Sequence, residues 1–128
     1  LWSAGRPDRA TEREWCFRAA LALRPNNVAA WNNLAIALKD RGDLDGAVAA
    51  HRRALEIDPL SPKTYSNLGN VLTRRRDHAG ALASLREAIR LDPTYGTAHY
   101  NLGVLLLDMG KRDEAERAFR EVIRLDPA

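Results

Sequence analysis

Three asparagines recur at one interval along the chain: Asn33, Asn67 and Asn101 stand 34 residues apart. A carboxamide offers two donors and an acceptor, so a row of them can bond the backbone of an extended polypeptide whatever its side chains. Asparagine costs roughly 0.5–0.7 kcal/mol against alanine inside a helix, and three occurrences at one place suggest a compensating role. The alternative is that these amides bond neighbouring helices or only water. Catalysis finds no comparable pattern. His51, His78 and His99 share no metal-ligand spacing, and the chain has no glycine-rich phosphate loop, H-E-x-x-H or cysteine pair. Cys16, the single cysteine, has no identifiable base and reads as a small buried hydrophobe. It forbids an internal disulfide and a cysteine-rich metal site, and fits a reducing compartment such as the cytoplasm. All four read as structural, so no enzymatic activity, metal or cofactor is expected.

The asparagines belong to a longer period. ALEIDP, AIRLDP and VIRLDP end at Pro59, Pro93 and Pro127, and Pro25 lies on the same grid. Trp31, Tyr65 and His99 correspond, as do Leu34, Leu68 and Leu102. So do Ala35, Gly69 and Gly103, then Ala47, Ala81 and Ala115. A fixed interval of this size marks a repeat architecture and outranks any local motif.

Each unit reads as two helices. First helices are predicted at about 28–39, 62–75 and 97–109, and second helices at about 44–57, 78–91 and 113–125. Asn27 and Ser61 are placed as N-caps, with Pro62 at a first helical position where its missing N–H costs nothing. Gly42 and Gly110 stand where the first helices must stop, and Arg76 takes that place in the middle unit, a less favourable turn. An Asp-Pro pair ends every second helix, because the residue before proline avoids helical geometry.

The pattern W-x-x-L-A/G-x-x-L/Y, followed by G, A, F, A and P at set offsets, resembles the tetratricopeptide repeat (TPR) family. Trp31, Leu34, Ala35, Leu38, Gly42, Ala47, His51, Ala54 and Pro59 carry it in one unit; Leu102, Gly103, Leu106, Gly110, Ala115, Phe119 and Pro127 carry it in the last. The resemblance covers residues 26–127 as three units, 26–59, 60–93 and 94–127. Residues 1–25 fit only through Phe17, Ala20 and Pro25. Arg13 stands where alanine is expected, and Leu1 to Asp8 show no good first helix, so this segment reads as a degenerate repeat or an N-terminal capping helix. The expected fold is all-α: a right-handed α-solenoid of stacked antiparallel helix pairs with a concave face.

The resemblance implies a protein-binding scaffold whose first helices line that face. Register places 2, 6, 9 and 13 fall on one helical stripe. They give Ala29, Asn33, Ile36 and Asp40; Lys63, Asn67, Asn70 and Arg74; and Thr97, Asn101, Val104 and Asp108, flanked by Asn32, Tyr100 and Leu107. Adjacent units offset by about 10 Å match three extended residues of about 3.3 Å each, so the asparagines could grip every third peptide unit. The N-L-G/A signature is similar to that of the O-GlcNAc transferase TPR region and related glycosyltransferases, whose asparagine ladder binds peptide. The carboxylate clamp of other TPR proteins is not expected, because Asn67 replaces its arginine although Lys63 and Asn70 match in part. Arg74 could attract an acidic peptide or pair with Asp40 and Asp108 between units. Tyr100, Val104 and Leu107 could form an apolar pocket or be covered by a further repeat.

Composition excludes little else. Hydrophobic residues make up 45% and charged residues 29%, as in a folded chain. A net charge of +3 does not argue for nucleic acid or a membrane surface, and no apolar run approaches a membrane span. Arg74, Arg75 and Arg76 are favoured by the dipole of the helix they end, and Arg41–Gly42–Asp43 reads as a turn rather than an adhesion motif. The absence of an initial methionine leads us to expect a fragment of a longer protein. Such a module could present substrates to an attached glycosyltransferase or kinase. It could also self-associate, through an uncapped end near Ala118, Val122 and Leu125.

Overall fold

The computed structural model describes residues 9–126, so the expectations for Leu1 to Asp8 and for Pro127 lie outside the described residues. The described chain is an all-α solenoid of seven helices: α1 (Arg9–Leu23), α2 (Val28–Asp40), α3 (Leu44–Ile57), α4 (Pro62–Arg74), α5 (His78–Leu91), α6 (Gly96–Asp108) and α7 (Arg112–Leu125). Helices α2 and α3, α4 and α5, and α6 and α7 pack as pairs, and α4 and α6 each lie against the pair before. Helix α1 packs on α2, with Glu14 paired to Arg41 at 2.9 Å.

Local chemistry sets the helix ends. Asn27 and Ser61 accept hydrogen bonds from the N–H groups of Ala30 and Thr64, and Asp43 and Asp77 from those of Gly46 and Gly80. These caps satisfy donors that a helix start leaves free. Tyr95 and Lys111, at the starts of α6 and α7, make no such bond. The first helices end in one motif: Asp43, Asp77 and Lys111 donate to Leu38, Leu72 and Leu106 across a residue of positive φ. That residue is Gly42 (+91°), Arg76 (+70°) or Gly110 (+75°), so the arginine adopts the glycine conformation.

Small residues fix the pairing distance. A Cβ on Gly69 would lie 2.5 Å from Leu85 Cγ, and one on Gly103 2.6 Å from Phe119 Cε1. Ala35 is buried at the equivalent place in the first unit, and Ala47, Ala81 and Ala115 are fully covered on the facing helices. Leu34, Leu38, Leu68, Val71, Leu72, Leu85 and Leu105 fill the core around them. Helix α7 buries only Ala115 and Ala118.

Candidate functional site

The sequence-derived site residues divide into three groups by what covers them. One group faces the adjoining helices. Asn32 is buried, and its amide nitrogen donates to Thr64 Oγ1 at 2.8 Å, tying α2 to α4. Its carbonyl oxygen lies 3.0 Å from His51 Nδ1 on α3, and Thr64 Oγ1 donates to Ser61 Oγ at 3.0 Å. Since the Asn32 nitrogen already donates, its oxygen accepts, which assigns the proton to Nδ1 of His51. Burial, reinforced by the Lys39 charge, lowers the pKa of His51 to about 4, so the imidazole is neutral. Asn101 is also buried, and its nitrogen donates to the Ser66 carbonyl at 3.2 Å and hydroxyl at 3.0 Å. For Asn32 and Asn101 the structure therefore gives bonds to neighbouring helices.

The second group is uncovered. Along α4, Lys63 and Arg74 are exposed and Asn67 and Asn70 half-buried, while Thr64, Ser66, Leu68, Gly69, Val71, Leu72 and Thr73 are buried. The same register places are open on α2, where Ala29, Asn33 and Asp40 are exposed and Ile36 is half-buried. On α6, Thr97 and Asp108 are exposed and Val104 is half-buried. Among the described residues Arg74 pairs with neither Asp40 nor Asp108; its neighbour Arg75 reaches Asp45 at 3.0 Å instead.

Tyr100 and Leu107 lie on another side. Their equivalents Ser66 and Thr73 are buried, and the Ser66 side is where α6 stacks on α4. In the last unit that side is open: Tyr100 is 53% exposed, Leu107 50% and nearby Ile123 64%. Tyr100 packs its ring 5.7 Å from that of Phe119 and lines a cleft with Thr97, Val122 and Leu125. Ala118 is buried.

His51 and His99 take separate places in the fold. His99 Nε2 lies 2.9 Å from the Pro93 carbonyl, repeating the 2.7 Å bond from Trp31 Nε1 to Pro25. Cys16 corrects the expectation of a buried thiol: it is exposed, because the face of α1 turned to the core carries Glu14, Phe17 and Leu21. Among the described residues no group of three His, Cys, Asp or Glu could hold a metal ion, and no helix is long and apolar enough to cross a membrane. The His51–Asn32–Thr64 chain was not anticipated as a unit. Its signal was present in three polar residues at places where other units carry packing residues or small side chains.

Comparisons with known proteins agree with this architecture. Residues 16–49 and 72–128 match models of the tetratricopeptide repeat, and residues 37–75 a model described as TPR repeat. No curated protein sequence matches significantly. A crystal structure of MamA superposes with a TM-score of 0.78 at 25% identity, covering 94% of this chain and 76% of that one. YrrB, described as a TPR protein with an unusual peptide-binding site, gives 0.80 at 22% identity, covering 92% and 61%. The first TPR of Spaghetti (RPAP3), bound to the HSP90 peptide SRMEEVD, gives 0.73 at 21% identity, covering 78% and 79%. The chain thus spans less than two thirds of YrrB. Repeat matches running through all three helix pairs, on a fold shared with these structures, make this chain an array of tetratricopeptide repeats.

Proposed function

We propose that the chain is a non-catalytic protein-interaction scaffold that holds an extended peptide along the concave face formed by α2, α4 and α6. The observation that carries this reading is the stripe of shared register places left open or half-open on α2 and α4 and, on α6, at every place but the buried Asn101. Asn33, Asn67 and Asn70 make no side-chain bonds within the described residues and offer donors and acceptors to a peptide backbone. Asn32 and Asn101 brace the helices behind them, and Val104 supplies an apolar contact. The peptide-binding site of YrrB and the peptide on the Spaghetti TPR lend support by analogy of fold.

The test is a peptide selected from a random display library on the immobilised chain, titrated against wild type and an Asn33→Ala/Asn67→Ala variant. Weakening of about tenfold or more with unchanged melting temperature is expected, as two backbone-directed bonds would give. Equal affinity for the two proteins would falsify the asparagine grip.

The open side of the last unit favours a second reading, self-association through Tyr100, Leu107 and Ile123. Light scattering over a concentration series decides it: a strict monomer at high concentration removes this reading.

A further inference from the structure

Charge is sorted by helix type in this molecule. The pairs Arg18–Glu14, Arg53–Glu56, Arg90–Glu87, Arg120–Glu116 and Arg124–Glu121 all lie within α1, α3, α5 and α7. The first helices carry Lys39, Asp40, Lys63, Arg74 and Asp108, and among the described residues none of these is in an ion pair. Asp40, Arg74 and Asp108 share one register place and are all exposed. They form a row of alternating sign, negative, positive, negative, one on each first helix; packed helices stand about 8–10 Å apart.

A ligand that answers this row must present opposite charges at the same interval and on one side. A β-strand fails, because only alternate residues share a side, at about 6.6–6.8 Å. Polyproline II geometry succeeds: every third residue returns to the same side after about 9 Å. We infer that the groove selects a polyproline II peptide with basic, acidic and basic side chains at every third residue, meeting Asp40, Arg74 and Asp108 in turn. The pattern reads the same in both chain directions, so it does not depend on peptide polarity. This specificity rests on the peptide-binding reading above.

Fluorescence anisotropy with three labelled probes tests it: Lys-Pro-Pro-Glu-Pro-Pro-Lys, its sign-reversed partner Glu-Pro-Pro-Lys-Pro-Pro-Glu, and the shorter Lys-Pro-Glu-Pro-Lys. Wild type should bind the first about tenfold more tightly than the second, the scale of three exposed charge pairs, and more tightly than the third. The preference should shrink at high salt. An Asp40→Arg/Arg74→Glu/Asp108→Arg variant, folded by circular dichroism, should reverse it. Equal binding of the first two probes by wild type overturns the charge row, and so does a preference unchanged in the variant. The Asn33→Ala/Asn67→Ala protein separates the two ideas. If it binds both seven-residue probes equally weakly while wild type binds them equally well, the groove stands and the charge row falls. If wild type binds no probe, both fall.

Discussion

The side-chain nitrogen of Asn101 lies 3.0 Å from the Ser66 hydroxyl and 3.2 Å from its carbonyl oxygen, joining α6 to α4. Asn33 and Asn67, at the same register, make no such bond. Asn101→Ala should therefore destabilise the fold by about 1–3 kcal/mol, because it strands polar atoms in a buried contact. Asn33→Ala should be neutral or slightly stabilising, since alanine is the better helix former. Urea unfolding of the two single variants separates them; equal midpoints would contradict the assignment.

Gly69 and Leu85 set the spacing of the middle pair. Gly69→Ala would place a Cβ 2.5 Å from Leu85 Cγ, and overpacking of this kind costs about 1–3 kcal/mol. Leu85→Ala removes the obstructing atoms, so the double variant should be more stable than the sum of the single losses implies. A double-mutant cycle on melting curves reads this, and strict additivity would count against direct contact.

Arg76 holds a φ of +70° where the other units use glycine. Left-handed geometry costs a non-glycine residue about 1–2 kcal/mol. Arg76→Gly relieves it while losing some unfolded-state restriction, leaving a net gain of about 0.5–1 kcal/mol. Denaturant midpoints with unchanged m-value are the check.

His51 couples stability to pH. Its pKa is lowered from 6.5 to about 4, first by burial and then by Lys39. The folded state holds the neutral ring, whereas the unfolded chain takes up a proton below 6.5. The contribution is thus complete above pH 6.5 and is lost as pH falls toward 4, to a total of about 3 kcal/mol. His51→Leu, the residue found at the equivalent Leu85, should flatten this part of the profile although Asn32 loses a partner. A wild-type slope no steeper than that of the variant would show that the ring does not resist protonation.

The regular features were legible because repetition amplifies them. The second helices α3 and α5 keep their predicted bounds and end ahead of an Asp-Pro pair, and Gly42 and Gly110 mark turns by backbone necessity. The orientation of single amides was not legible. Asn101 turns inward because Ser66, on another helix, offers both a carbonyl and a hydroxyl; the register shared with Asn33 and Asn67 carries no information about that partner. Asn32 is drawn in by Thr64 and His51 in the same way. For Tyr100 the sequence allows either an apolar pocket or cover by a further repeat; its equivalents Asn32 and Ser66 are buried, on the side where α6 stacks on α4. Cys16 shares its register with the buried Ala50, Ser84 and Ala118, yet α1 turns a different face to the core, which the repeat could not indicate.

Helix α7 begins without a side-chain cap and covers little beyond Ala115 and Ala118. Amide protons of α7 should therefore exchange with solvent before those of α3 and α5. The middle pair, clamped on both sides, then behaves as the anchor against which the last unit loosens and recloses.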